Sequence, residues 1–180
     1  MSEVERFHPP TKVRRFSPSR SITTHRQQLA QTYQRLKSEF PQLHESPDNR
    51  FRITDWTFDN RNLSVEQLEH LNALCISMDW GFTYSSVQCH IKPRSQDKAT
   101  GLIQVLRDHF PQYQPEQVLT VGDSPNDASL FNPQLFPLSV GVANVLDYRD
   151  ELDYKPAYVT DATEGEGFCE LVEYLHQVGR

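Results

Sequence analysis

The sequence predicts an α/β protein in which half of a doubly wound, Rossmann-like parallel sheet follows a smaller α+β unit. Beyond about residue 93, short and nearly continuous apolar segments alternate with amphipathic helical stripes, the pattern of strands covered on both faces. Between residues 27 and 92, bulky strand-forming residues are separated by helical stripes instead. The apolar run Val118–Val121 leads directly into Gly122-Asp123, and in open α/β sheets the ligand crevice lies at the carboxyl ends of strands.

Residues 1–26 read as a basic, flexible N-terminal segment. Arg6, Lys12, Arg14, Arg15, Arg20 and Arg26 face only Glu3 and Glu5, and Pro9, Pro10 and Pro18 break any helix. Thr24 to Phe40 follows as a helix with Leu29, Tyr33, Leu36 and Phe40 on one face, stopped by Pro41. Asn49 to Asp59 reads as a strand carrying Phe51, Ile53, Trp56 and Phe58. Ser64 and Gln67 then form a capping box ahead of a helix striped by Leu68, Leu71, Cys75 and Met78. Asp79-Trp80-Gly81 turns the chain into a second strand, Phe82 to Ile91, with Ser85 and Ser86 in its middle. These elements make 27–92 an α+β unit of about two strands and two helices.

In the second half, Asp97 caps a helix whose face is Leu102, Ile103, Leu106 and Phe110. Val118–Val121, Leu138–Val142 and Tyr158–Thr160 are the expected strands, with a short helix from Asn126 to Phe131. Thr163 and Glu166 suggest a second capping box, and Phe168, Leu171, Val172, Leu175 and Val178 stripe the last helix.

A formal charge of −6 over 180 residues excludes a general nucleic-acid binder, because phosphate backbones are held by clustered positive charge. No run approaches the roughly 18 apolar residues of a membrane span. The N-terminus has no signal-peptide apolar core. Cys75, Cys89 and Cys169 are an odd, widely spaced set without a Cys-x-x-Cys pair, which reads as reduced thiols in a cytoplasmic protein. The seven histidines include no pair three or four apart, so a helical zinc site has no support.

Gly122-Asp123-Ser124-Pro125-Asn126-Asp127 places two carboxylates and an amide on a tight turn at a strand end. Such hard oxygens suit Mg²⁺, which takes one or two carboxylates together with waters and substrate phosphate. An isolated Gly-Asp-Ser is an ordinary helix-capping turn. The second acid four residues on, behind an apolar strand, is what turns the reading toward function.

The same residues carry a family resemblance. VLTVGDSPNDASLF, Val118 to Phe131, resembles the last catalytic motif of the haloacid-dehalogenase-like phosphohydrolases, which are Mg²⁺-dependent. Ser95 to Leu102, SQDKATGL, is similar to that family's lysine-bearing helix start, and PLSVGVAN (Pro137 to Asn144) and EGEGF (Glu164 to Phe168) also resemble it. Arg52 to Asp59 and Thr83 to Ile91 look like the cap of the branch holding sucrose-phosphate and mannosyl-3-phosphoglycerate phosphatases. The resemblance implies a cap over 27–92 and the C-terminal part of a catalytic core over 93–180. It implies that Lys98, Asp123 and Asp127 are catalytic. Asp123 and Asp127 would be the Mg²⁺ residues, Asp127 through a water or by holding the loop. Ser124 and Asn126 would orient the phosphate or the nucleophile, and Lys98 would neutralise phosphate charge, with Lys92 as a nearby competitor. Ser85 and Ser86, with His90, are expected substrate contacts from the cap. Gln88 and His90 stand where the branch carries His and Asn, a departure that bears on substrate choice.

The family's nucleophile is an aspartate in an Asp-x-Asp-x-Thr strand, and no Asp-x-Asp occurs in these 180 residues. Asp55 and Asp59 are four apart and fall in the cap, and Asp147, Asp150 and Asp153 read as a surface loop. The expectation is therefore a phosphatase for a phosphorylated sugar or sugar acid, present as a fragment without its attacking carboxylate and inactive alone. A complementing N-terminal chain or self-association would cover the apolar sheet edge left open. A non-catalytic sugar-phosphate or anion-binding module, or a structural remnant, is the alternative.

Overall fold

A computed structural model describes residues 22–179, which form two layered units. In the first, α1 (Ile22–Glu39) and α2 (Val65–Ser77) cover one face of an antiparallel sheet of β1 (Trp56–Asp59), β2 (Trp80–Tyr84) and β3 (Gln88–Pro93). Its strand order is β1-β3-β2. Leu29, Tyr33 and Leu36 of α1, Leu71 and Cys75 of α2, and Phe58, Cys89 and Ile91 of the sheet are fully buried together. Burying such side chains is worth about 1.5–3 kcal/mol each before chain entropy is counted. That core explains why α1 forms although its residues are polar on average. Ser64 caps α2 as expected: its hydroxyl accepts from the Gln67 N–H, and the Gln67 amide accepts from the Ser64 N–H.

The second unit holds a parallel sheet in the order β4-β5-β6, from β4 (Leu119–Gly122), β5 (Leu138–Gly141) and β6 (Tyr158–Val159). Leu119 lies opposite Leu138 and Gly122 opposite Gly141. Helix α3 (Lys98–His109) packs Ala99 and Leu106 against Leu130 and Phe136, while α4 (Glu164–Val178) closes the chain. The mixed α/β architecture with a parallel sheet is the one the sequence predicts. Among the described residues β4 has a neighbour on one side only.

Several local expectations are corrected. Residues 1–21 of the basic segment lie outside the described residues, but 22–26 belong to α1. Arg26 there donates to the Asn49 carbonyl at 2.8 Å and lies 5.3 Å over the Trp56 ring, so it serves the packing of the first unit. Asn49 to Asp59 is not one strand. Pro47–Phe51 is a 3-10 turn, because Pro47 starts it and the buried Asn49 side chain bonds the Thr57 backbone in both directions, at 2.7 and 2.8 Å. Phe82 to Ile91 is a hairpin rather than a strand, so the first unit has three strands. Ser85 and Ser86 form the turn between β2 and β3, where the Ser85 hydroxyl accepts from the Val87 and Gln88 N–H groups. Thr163 makes no side-chain cap on α4. The Glu164 N–H donates instead to Asn144 Oδ1 at 3.0 Å, and Glu170 collects the Asp161 and Ala162 N–H groups. Of the expected α4 stripe only Leu171 is buried; Phe168 and Val178 stand more than half exposed. No helix among the described residues is long and apolar enough to cross a membrane.

Candidate functional site

The acid loop is assembled by short-range constraints at the carboxyl end of β4. A Cβ on Gly122 would lie 2.5 Å from Asp127 Cβ and 2.9 Å from Phe131 Cζ, so only glycine lets the 3-10 helix Pro125–Phe131 fold back against the strand. Close approach of side chains, not an unusual φ, is the reason, since no glycine here has positive φ. Asp127 is thereby buried, and its Oδ2 accepts from the Asp123 N–H at 3.1 Å. Its Oδ1 forms an ion pair with Lys98 Nζ.

Lys98 reaches this position because it is the first residue of α3. Asp97 caps that helix by accepting from the Thr100 N–H at 2.8 Å, and the Ala99 N–H donates to Ser129 Oγ at 3.2 Å. Helix start and acid loop are thus pinned together, with the Lys98 side chain half exposed. Asp123 is held from two sides. The buried Ser124 hydroxyl lies 2.9 Å from Asp123 Oδ1 and 3.1 Å from Asn126 Oδ1, and Asn144 Nδ2 donates to Asp123 Oδ2 at 3.1 Å. Lys98, Asp123, Ser124, Asn126 and Asp127 are therefore brought together. Ser85 and Ser86 are not: they sit in the β2–β3 hairpin, and no hydrogen bond among the described residues joins them to the loop.

Two neighbours escaped the sequence reading. Asn144 is the second residue of the 3-10 helix Ala143–Tyr148 and holds Asp123; its signal was its place at the end of PLSVGVAN, three residues past the buried end of β5. Tyr148 closes the same helix, and burial, aided by the Asp123 and Asp147 charges, pushes its phenol above the usual value. Lys92 turns its ammonium to the Gln96 carbonyl, and burial lowers its proton affinity against the pull of Asp97.

A carboxylate oxygen has lone pairs to spare after one hydrogen bond, so Asp123 can accept a hard cation on its open side. Among the described residues no three His, Cys, Asp or Glu side chains converge as a ready cage. That donor set fits Mg²⁺, which relies on few protein carboxylates, and does not fit a closed transition-metal site.

The profile of the haloacid dehalogenase-like hydrolases matches residues 11–168. A phosphoglycolate phosphatase of Methanothrix thermoacetophila is 30% identical over 154 residues, 83% of this chain and 62% of that protein. A second, from Haloarcula marismortui, is 37% identical over 127 residues, 69% of this chain and 50% of that protein. The chain thus spans between half and two thirds of the length of these relatives. The sucrose-phosphatase of Synechocystis sp. PCC6803 shares the fold at a TM-score of 0.55 and 16% identity, over 82% of this chain and 64% of that one.

Proposed function

The chain belongs to the haloacid dehalogenase-like hydrolases, and from that premise we propose that its acid loop serves Mg²⁺-dependent hydrolysis of a small phosphate monoester borne by a sugar acid or similar hydroxy acid. The observation carrying this reading is the convergence of Lys98, Asp127 and Asp123 at the end of β4, where Lys98 pairs with Asp127, Asp127 accepts from the Asp123 N–H, and Asn144 holds the Asp123 carboxylate. The relatives' name, phosphoglycolate phosphatase, favours a phosphorylated acid over a neutral sugar phosphate.

In this reading Asp123 is the carboxylate that holds Mg²⁺, and Asn144 and Ser124 keep it aimed. When bound, the ion supplies positive charge against the developing charge on phosphoryl oxygens. Asp127 keeps the loop closed through the Asp123 N–H and keeps Lys98 in reach. The Lys98 ammonium, half exposed, offers its remaining N–H groups to the phosphate. Ser124 and Asn126 line the approach to it. The attacking aspartate comes from an Asp-x-Asp-x-Thr strand outside these 180 residues, in the same polypeptide or in a complementing one. The open side of β4 is the position such a strand would take.

The test is direct. The 180-residue chain should bind inorganic phosphate in a Mg²⁺-dependent manner, lose that binding in Asp123→Asn and Lys98→Met, and leave p-nitrophenyl phosphate intact. Absence of Mg²⁺-dependent phosphate binding by the parent chain refutes the site. Turnover abolished by Asp123→Asn refutes the external nucleophile.

A further inference from the structure

The antiparallel sheet has a second face, opposite α1 and α2, and its chemistry is unused by the site above. Along β3, Cys89 and Ile91 point into the core, so Gln88, His90 and Lys92 share the other face. His90 stands between Thr57 and Thr83 in register, and Lys92 lies opposite Gly81, which has no side chain to cover it.

One edge of this face is walled by a charge network. Arg52 donates through Nε to Asp48 at 3.0 Å, through Nη1 to Asp55 at 2.8 Å and through Nη2 to Gln88 at 3.3 Å. Its fork is spent. Asp55 Oδ2 also takes His90 Nδ1 at 3.1 Å, and both side chains are more than four-fifths buried. That contact fixes the ring and leaves Nε2 without a hydrogen-bond partner among the described residues. In the imidazolium form both N–H groups donate, one to Asp55 and the other outward. Lys92 is a partly buried cation that forms no ion pair among the described residues, and its single acceptor is the Gln96 carbonyl. Asp97 acts on this ammonium only through its charge, without a direct ion pair, so the two remaining N–H groups are free to take an anion.

The position of this pair is set by the loop between the units. Lys92 bonds the Gln96 backbone, the Gln96 amide reaches Thr54 Oγ1 at 3.3 Å beside Asp55, and two residues later the chain reaches Lys98. On the other edge of the sheet, β2 packs on the 3-10 helix that carries Asp127. Residues two apart on a strand face are about 6–7 Å apart, a span that a single carboxylate can bridge with its two oxygens and a neighbouring water.

We propose that His90, aimed by Asp55, and Lys92 form a carboxylate-binding subsite on the cap sheet, which selects phosphorylated carboxylic acids over phosphate esters lacking the acid. The proposal rests on the phosphohydrolase reading and names the part of the substrate that the acid loop does not hold. Asp55 acts as a positioning residue, through His90.

The experiment compares 2-phosphoglycolate with ethyl phosphate by calorimetry on the 180-residue chain with Mg²⁺. The parent chain should bind 2-phosphoglycolate at least tenfold tighter, the scale of one hydrogen bond between charged groups. His90→Gln and Lys92→Met should each remove most of that preference while ethyl phosphate binding stays within twofold. Circular dichroism and a melting curve establish that each variant folds; if His90→Gln does not, Lys92→Met decides. No preference in the parent chain, or a preference surviving in a folded variant, overturns the subsite while ethyl phosphate binding that depends on Lys98 keeps the phosphohydrolase reading intact. If neither ligand binds the parent chain, that reading falls and the subsite falls with it.

Discussion

Gly122→Ala tests whether the acid loop is held by close packing against β4. The added methyl would sit 2.5 Å from Asp127 Cβ, 2.7 Å from Asp127 Cγ and 2.9 Å from Phe131 Cζ. Neither neighbour has room to retreat. Phe131 is fully buried against Val145 and Leu152, and Asp127 is tied by both oxygens to Lys98 and the Asp123 N–H. Overpacking a filled core costs about 1–3 kcal/mol. Displacing Asp127 also weakens a charge-assisted hydrogen bond, for a further ~1 kcal/mol. A loss of roughly 3 kcal/mol lowers the melting temperature by about 6–12 °C for a chain of this size. Gly101→Ala is the matched control. Nothing lies within 4 Å of its added methyl, in the first turns of α3. There alanine should raise stability by about 0.5–1 kcal/mol through helix propensity alone. Thermal melts of the three proteins decide it. A Gly122→Ala protein melting within about 2 °C of the parent would refute the packing account.

Two further outcomes follow from burial. Cys169 is exposed, whereas Cys75 and Cys89 are fully buried and their thiols pushed up, Cys75 to about 12. A thiol reagent at neutral pH should therefore titrate one thiol in the native chain and three in denaturant; rapid native reaction of a second thiol contradicts the closed core of the first unit. Burial raises the Asp55 carboxyl, but the His90 hydrogen bond and the Arg52 charge outweigh it and hold the net value below the usual 3.8. The unfolded chain then takes up this proton first on acidification. The stabilisation is complete at neutral pH and is lost as pH falls below about 4, through the folded-state value. Asp55→Asn should flatten that part of the urea-stability profile; a slope between pH 5 and 3 equal to the parent's would show that Asp55 contributes nothing there.

What was legible in the sequence was whatever closes over a few residues. Gly122 to Asp127 announces a strand end, a turn and paired acids within six positions, and the Asp97 cap places Lys98 at a helix start. The Lys98–Asp127 contact spans 29 residues and came into view only through family spacing. Where the reading failed, a longer-range contact replaced a local rule. The β2–β3 hairpin was hidden because its turn, Tyr84-Ser85-Ser86-Val87, contains neither glycine nor proline and is held instead by Asn60 donating to the Ser85 carbonyl at 2.5 Å. Thr163 makes no cap, and the first N–H of its helix, that of Glu164, is taken by Asn144, 20 residues upstream.

The charge network on the antiparallel sheet is the extreme case of that rule. Asp55, Arg52, Gln88 and His90 look unremarkable in sequence, separated by up to 38 positions, and acquire meaning only when β1 and β3 pair and bring Thr57 opposite His90. Asn144 shows the same dependence in the core, since one side chain both restrains Asp123 and caps α4. A residue that serves a site and a helix end at once couples them. The orientation of Asp123 is thereby tied to the seating of α4 as well as to its own loop, and this acid is fixed by three separate stretches of chain: the β4 turn, the segment after β5, and the start of α4.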